Sequence, residues 1–243
     1  MHITDAPQET DMPLQRHCRR SRHTSGFTLV EMSVVLVIIA LVVGAMTVGR
    51  DVYRSAAAER LSHDFVQAWV LAYQHHVDGA GVVPGDNFDN PSGRVNNGLN
   101  NFLCDDNLLN AMLARGVTLP AGRAEGLNNR YVYQDSRGQP HELRACFGAV
   151  QWSEPQGSVG NYGTRTRNVL RLEGLTPELA RLLDSKVDGG IDARHGQWRE
   201  AGMHDANVAA ASPWSLESDD TMSGFTGPDE QEAEVSAYLR MTQ

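Results

Sequence analysis

The sequence predicts an α+β fold, in which one long N-terminal helix packs on an antiparallel sheet of three to five strands. Two observations carry this prediction. Residues 27–78 contain no proline and follow a helical pattern without interruption, whereas residues 130–172 contain short strand-like segments separated by turns. Helices and strands are therefore segregated along the chain, as is typical of α+β domains.

The most apolar part of the chain is a block of 22 residues near the N-terminus. It reads FTLVEMSVVLVIIALVVGAMTV from Phe27 to Val48, and Glu31 is its only charged residue. At roughly 1.5 Å per residue a helix of this length covers about 33 Å, which is enough to cross the hydrocarbon core of a bilayer. We therefore expect residues 27–48 to cross a membrane once.

The residues in front of the block predict its orientation. Residues 1–26 are polar and end in a basic cluster, Arg16, Arg19, Arg20 and Arg22. Positive charge on one flank of a membrane helix favours the cytoplasmic side. The N-terminus is thus expected in the cytoplasm and the chain after Val48 outside it.

Two ordinary explanations compete for this block. A secretory signal peptide has a shorter apolar core, roughly 7–15 residues, followed by a small-residue cleavage site, and neither feature is present. A plain signal anchor agrees with the hydropathy. Neither explanation accounts for Glu31, because a carboxylate inside a membrane span costs on the order of 2.5–3.5 kcal/mol and usually marks a function.

A cut between Gly26 and Phe27 would give Glu31 a chemical role. The cut would create a free α-amino group four residues before the carboxylate. Such an amine in a neighbouring subunit could neutralise Glu31 within apolar packing. A carboxylate in the first turn of a helix is also favoured by the helix dipole.

The string Gly26-Phe27-Thr28-Leu29-Val30-Glu31-Met32 closely resembles the processing site of type IV prepilins and type II secretion pseudopilins. The resemblance covers the leader and the first helix, about a fifth of the chain. It implies that a prepilin peptidase cuts after Gly26 and methylates the amine of Phe27, and that Glu31 guides subunit alignment during assembly. The leader is longer than is common in major pilins, which favours a minor member of the family.

The same resemblance implies the partners and the location of the protein. The partners would be the prepilin peptidase, other pilin or pseudopilin subunits, the inner-membrane assembly platform and membrane lipid. The protein would begin in a bacterial inner membrane with its exported domain in the periplasm, and it would enter a pilus or pseudopilus on assembly. No cofactor is implied.

The number of cysteines agrees with a cut after Gly26, because the cut leaves an even number in the remaining chain. Cys18 would leave with the leader, and the pair Cys104 and Cys146 would remain. In an oxidising compartment these two are expected to form a disulfide, and two buried free thiols are the alternative.

Beyond the membrane the helix is expected to continue over residues 49–78 as an amphipathic segment. Apolar residues recur there every four positions, at Leu61, Phe65, Trp69 and Tyr73. The helix should end at Asp78-Gly79-Ala80-Gly81, and a globular domain should follow over residues 79–205.

Within this domain the pattern predicts two helices and three strands. The helices are Asn107 to Arg115 and Pro177 to about Lys186, the second with Thr176 as its N-cap. The strands are Arg130–Gln134, Leu143–Val150 and Asn168–Leu172. The segment from Asp184 to Arg199 is similar to the C-terminal segments of minor pilins, and this resemblance implies a final strand near Trp198. Residues 206–243 are polar and acidic and are expected to form a flexible C-terminal tail.

Two groups of residues are candidate metal ligands. Asp184, Asp188 and Asp192 lie around a glycine turn and are weak calcium candidates, but their spacing does not match an EF-hand loop and a solvated turn is favoured. His75 and His76 are adjacent on a helix, so their side chains point in different directions, and no second ligand pair accompanies them.

Composition and motifs exclude several classes of function. A net charge of −9 argues against general nucleic-acid binding, which depends on neutralising phosphates. No phosphate-binding loop, zinc spacing or ordered catalytic triad stands out, so we expect no enzymatic activity. The main alternative to a filament subunit is a single-pass, signal-anchored periplasmic protein with a binding or enzymatic domain.

Overall fold

A computed structural model of the chain describes residues 26–122, 127–222 and 230–242. Contacts divide the chain into two compact units, Met1–Val48 and Gly49–Gln243. The expected leader, its basic cluster and Cys18 lie outside the described residues, apart from Gly26.

One long helical stretch runs from Leu29 to Ala80. It consists of helix α1 (Leu29–Leu61), a π-helical segment (Ser62–Gln67) and helix α2 (Ala68–Ala80). The stretch ends where Gly81 adopts a left-handed conformation with φ of 71° and donates its N–H to Val77, which is a glycine C-cap. The predicted helix is present, with its end within two residues of the expected glycine break.

The π-helical segment is explained by the apolar repeat. In an α-helix with 3.6 residues per turn, side chains four apart drift about 40° around the axis at each step. The strict repeat Leu61, Phe65, Trp69 and Tyr73 would therefore leave the sheet, yet all four are buried. The wider turn of a π-helix lets more residues fit in one turn and cancels this drift.

The sheet has five antiparallel strands in the order β1-β2-β3-β5-β4. Their bounds are β1 (Arg130–Gln134), β2 (Pro140–Pro155), β3 (Tyr162–Leu175), β4 (Trp198–Glu200) and β5 (Val235–Arg240). The number of strands and their antiparallel pairing confirm the predicted α+β class.

Helix α2 and the π-helical segment pack on one face of this sheet through aromatic rings. The Phe147 ring lies 5.9 Å from Trp69 and 5.1 Å from Tyr73 between centroids, and Phe65 lies 5.4 Å from Tyr131. All five side chains are buried. The aromatic stripe predicted from the sequence is thus the contact between helix and sheet in the second unit.

Strands β2 and β3 form a hairpin much longer than the sequence predicted. Arg144 pairs with Glu173 near its base and Pro155 with Tyr162 next to its turn. The prediction stopped at Val150 and began again at Asn168 because the intervening residues are mostly polar. Their backbone pairing continues regardless, since it does not depend on apolar side chains.

Two shorter helices complete the second unit. Helix α3 (Asp105–Leu113) starts two residues before the predicted bound, and helix α4 (Pro177–Asp188) starts as predicted. The Thr176 side chain accepts the Leu179 N–H at 3.4 Å, which confirms its N-cap role. Gly189 ends α4 in the left-handed conformation.

The flexible tail expected over residues 206–243 is wrong for at least two parts of that range. Trp214 is buried, and Val235–Arg240 form strand β5 in the interior of the sheet. Val235, Ala237 and Leu239 alternate toward the core, a period-two pattern too short to outweigh the acidic residues before it. Residues 223–229 lie outside the described residues.

Candidate functional site

The peptide bond between Gly26 and Phe27 precedes the helix. Residues 26–28 have no regular secondary structure, and α1 begins at Leu29. Gly26 is exposed and Phe27 is 80% exposed. This bond therefore lies in an accessible, non-helical segment, as hydrolysis by a protease requires.

Thr28 and Glu31 close the start of α1 with three hydrogen bonds. The Thr28 N–H and hydroxyl both donate to Glu31 Oε2, at 2.8 and 2.9 Å. In return, the Glu31 N–H donates to the Thr28 hydroxyl at 3.2 Å. This reciprocal arrangement is a capping box, in which N-cap and N3 side chains satisfy otherwise unpaired backbone donors.

The capping box gives Glu31 a fixed position that the sequence interpretation missed. That interpretation gave Glu31 a partner in another subunit and a favourable interaction with the helix dipole, and it assigned Thr28 no role. The signal was present, since Thr-x-x-Glu before an apolar run is the sequence signature of such a box. Glu31 Oε1 takes part in none of the three bonds.

The first helix is apolar around its whole circumference. Residues Leu29–Met46 have a mean hydropathy of 2.7 and none of them is buried within the structure. By length and composition this is the one helix in the described part of the chain able to cross a membrane. An open hollow beside Glu31 is lined by Phe27, Val30, Met32, Val34 and Val35.

Such a helix needs an apolar environment on every side. Leu36 and Leu41 are more than two-thirds exposed, on different sides of α1. A helix that is apolar all round is stable in lipid or in the centre of an assembly, and not in water. The segment thus fits crossing a membrane and packing against other apolar helices.

Cys104 and Cys146 form a disulfide, as predicted. Cys104 is the residue before α3, and Cys146 lies in β2. Next to the bridge, Asp105 accepts hydrogen bonds from Arg130 at 3.1 Å and Arg144 at 3.3 Å. The bridge and this ion pair together hold the start of α3 on the sheet.

The three aspartates considered as calcium ligands lie together at the end of α4, and each of them accepts a hydrogen bond from at least one backbone N–H group. Asp184 accepts the Asp192 N–H at 2.8 Å, and Asp188 accepts the Gln197 and Trp198 N–H groups at 2.9 Å. Asp192 in turn accepts from Arg194 at 2.9 Å. These carboxylates organise the loop between α4 and β4 by hydrogen bonds of their own.

Asp184 is the most deeply buried of the three. Its Oδ2 also accepts the Trp214 indole N–H at 2.9 Å, while its Oδ1 has no hydrogen-bond partner. Burial raises the pKa of the Asp184 carboxyl to about 6. Asp184 therefore joins the loop to a residue in the segment that had been expected to be flexible.

This raised pKa makes a prediction about stability. The native state takes up a proton at Asp184 at a higher pH than the unfolded chain does, so this group adds stability as the pH falls through 6. Asp184→Asn keeps an acceptor oxygen and removes the titration. Between pH 7.5 and 5 the unfolding free energy of the wild type should gain about 1 kcal/mol relative to the variant.

Urea unfolding of both proteins, followed by tryptophan fluorescence at the two pH values, measures this difference. Carboxylates whose pKa is lowered, such as Asp105 and Glu154, are common to both proteins and cancel. A difference between wild type and variant that does not change with pH would contradict the assignment to Asp184.

The two adjacent histidines on α2 lie in different environments. His76 is buried with its Nδ1 3.1 Å from the Val82 carbonyl, whereas His75 is exposed. Among the described residues, no group of three or more histidine, cysteine or acidic side chains is arranged to hold a metal ion.

A buried histidine that the sequence analysis missed joins two distant segments. His141 Nδ1 lies 2.9 Å from Glu234, and its Nε2 lies 3.1 Å from Asp135. Both ring nitrogens are thus engaged by carboxylates, so the imidazole holds the start of β5 against the β1–β2 turn. No spacing in the sequence indicates this contact, because 93 residues separate His141 from Glu234.

Comparison with known families identifies the N-terminal segment. Residues 21–47 match the family model described as the prokaryotic N-terminal methylation motif, which is the signal motif of type IV pilins and pseudopilins. This match confirms the resemblance seen in residues 26–32. No curated protein and no solved structure matches the chain.

Proposed function

Because the chain carries the N-terminal signal motif of type IV pilins and pseudopilins, we propose that it is a minor pilin or pseudopilin. It is a structural subunit of a type IV pilus or a type II secretion pseudopilus. A prepilin peptidase cuts it after Gly26 and methylates Phe27, and the new N-terminal helix then assembles with those of other subunits. The protein has no enzymatic activity of its own.

The geometry around Gly26 supports the cleavage step. Hydrolysis of the Gly26–Phe27 bond adds one water, leaving a carboxylate on Gly26 and an amine on Phe27. The bond is exposed and outside the helix, so a peptidase can reach it without unwinding α1. The matched motif, which spans this bond, is the single observation that carries the proposal.

The capping box supports the role of Glu31 in assembly. Thr28 holds Glu31 Oε2 by two hydrogen bonds, which offset part of the cost of placing a carboxylate among apolar side chains. The carboxylate remains available to the α-amine of a neighbouring subunit. An amine and a carboxylate paired in this way leave no uncompensated charge in the packed helices.

The apolar part of α1, Leu29–Met46, supports anchoring in a membrane before assembly. Its apolar surface suits lipid while the subunit waits beside the inner-membrane assembly platform, and it suits other helices afterwards. The basic leader keeps the N-terminus cytoplasmic. The Cys104–Cys146 disulfide fits an exported domain in the oxidising periplasm.

Co-expression with a prepilin peptidase tests the proposal. The chain should become 26 residues shorter, as seen by immunoblotting of a C-terminal epitope, and Gly26→Trp should stay at full length. An inactive peptidase is the control for unrelated proteolysis. If active peptidase leaves the wild-type chain uncut, the subunit assignment is wrong and the signal-anchored alternative is favoured.

A further inference from the structure

The half of strand β3 nearest the hairpin turn has a neighbour on one side only. Residues Tyr162–Arg167 pair with β2, whereas β5 pairs with β3 only from Val169 onward. Within residues 26–122, 127–222 and 230–242, no other strand pairs with residues 162–167. We refer to Tyr162–Arg167 as the open edge.

The register shows which backbone groups the open edge presents. Facing residues in an antiparallel pair alternate between bonding to each other and pointing away. Ser153 donates its N–H to the His204 carbonyl at 3.0 Å, away from β3, so its partner Thr164 also points away from β2. By the same alternation, the backbone N–H and carbonyl of Thr166 and of Asn168 point away from β2. The Asn168 carbonyl confirms this direction, because it accepts the Met241 N–H at 2.9 Å.

Thr164 and Thr166 thus offer two N–H donors and two carbonyl acceptors along one line. No hydrogen bond joins these groups to any described residue outside the hairpin, and Thr164 is exposed. An unpaired row of this kind is the template that an extended peptide uses when it adds a strand to a sheet.

The charge beside the open edge indicates what kind of peptide fits. Arg167 bonds both oxygens of Glu154, at 2.7 and 2.8 Å, and Arg240 contacts the same carboxylate at 3.1 Å. Arg165 lies on the same side of the sheet and is exposed. Two guanidinium groups therefore bond to one carboxylate and a third lies on the same side of the sheet, so positive charge is in excess here in a chain whose net charge is −9.

This local excess of positive charge disfavours one occupant and favours another. If the open edges of two copies paired, the arginine rows of both copies would share one sheet face, and like charges across strands are destabilising. A strand with acidic side chains at every second position would instead place them beside Arg165 and Arg167. Opposite charges in such cross-strand positions stabilise the pairing.

We propose that the open edge of β3 binds an extended acidic segment of another protein by strand addition. The main-chain groups of Thr164 and Thr166 supply the hydrogen bonds, and Arg165 and Arg167 select the acidic side chains. The open edge lies in the second unit, so this binding does not require cleavage at Gly26 or entry into a filament.

Fluorescence anisotropy with the full chain in detergent tests the proposal. The probe is a labelled eight-residue peptide, TEVEVEVT, and its control replaces each glutamate with lysine. We expect saturable binding of the acidic peptide, weakened by salt, and at least about tenfold weaker binding of the lysine peptide. Absence of saturable binding of the acidic peptide would overturn the proposal.

Matched variants locate the binding on the open edge. Thr164→Pro removes one outward N–H and leaves the ladder to β2 intact, since proline is tolerated where the N–H faces away from the sheet. It should weaken binding about tenfold, the equivalent of one net hydrogen bond of roughly 1.4 kcal/mol. Thr164→Val keeps the N–H and should bind as the wild type does. Equal affinity for both variants would refute strand addition.

Two further measurements remain decisive if Thr164→Pro fails to fold. The acidic peptide with an N-methylated backbone keeps its charge but cannot donate, so it should bind at least about tenfold more weakly to the wild type. A ten-base single-stranded oligonucleotide carries negative charge without strand geometry. If it displaces the peptide as well as unlabelled peptide does, the arginines bind anions in general and the proposal is wrong.

Discussion

Glu31→Ala is expected to leave the chain in the membrane fraction and to lower its recovery in sheared filaments about tenfold to a hundredfold. A hydrogen bond to a charged group contributes roughly 1.5–3 kcal/mol, and the variant loses one that only the assembled state makes. Membrane insertion should not suffer, because removing a carboxylate makes the apolar segment Leu29–Met46 easier to insert. Immunoblots of membrane and sheared fractions, normalised to total protein, give both quantities.

Variants of Thr28 separate the position of Glu31 from its charge. Thr28→Val removes the hydroxyl that donates to Glu31 at 2.9 Å and keeps the carboxylate, so its recovery in filaments should fall between those of the wild type and Glu31→Ala. Thr28→Ser keeps the hydroxyl and should behave as the wild type. Normal incorporation of Glu31→Ala would show that the carboxylate has no part in assembly.

Loss of the Cys104–Cys146 disulfide is expected to lower the unfolding free energy of the second unit by about 4 kcal/mol. The two cysteines are 42 residues apart, and closing a loop of that length restricts the unfolded chain by about this amount. The bridge also holds the start of α3 near Asp105. The measurement is urea unfolding of Cys104→Ser/Cys146→Ser and the wild type under oxidising conditions.

Cys18 provides a matched control for this change. It lies in the expected leader, so Cys18→Ser should leave the unfolding free energy of the mature protein unchanged. Addition of a reducing agent to the wild type should reproduce the loss seen in the double variant. A double variant as stable as the wild type would show that the disulfide contributes nothing to the native fold.

The parts of the fold that the sequence predicted are those with a repeated local pattern. The helix from Leu29 to Ala80 follows from an unbroken apolar block and a four-residue repeat, and strand β1 matches its predicted bounds, Arg130–Gln134. The start of α4 was readable because Thr176 and Pro177 are local start signals.

The parts that were missed depend on contacts between distant segments. Strand β5 follows an acidic stretch, and only its position between β3 and β4 makes a strand of Val235–Arg240. The π-helical segment allows Leu61 and Tyr73 to be buried in the same core, although they are twelve residues apart on one helical stretch. Neither requirement is visible in a window of ten residues.

The candidate site shows the same division. Gly26, Phe27 and Glu31 lie within six residues, so one local motif predicted them together. The hydrogen bonds of Asp184 to Trp214 and of His141 to Glu234 join residues 30 and 93 positions apart. Such contacts leave no periodic pattern in the sequence, and therefore the polar connections of the second unit could not be predicted.

The most direct test of the proposed function is the chemical identity of the mature N-terminus. The chain should be purified from the membranes of a cell with an active prepilin peptidase and analysed by intact mass and N-terminal peptide mass spectrometry. We expect a single species that begins with N-methylated Phe27 and lacks residues 1–26. Recovery of a membrane protein that still begins at Met1 would contradict the assignment as a pilin or pseudopilin.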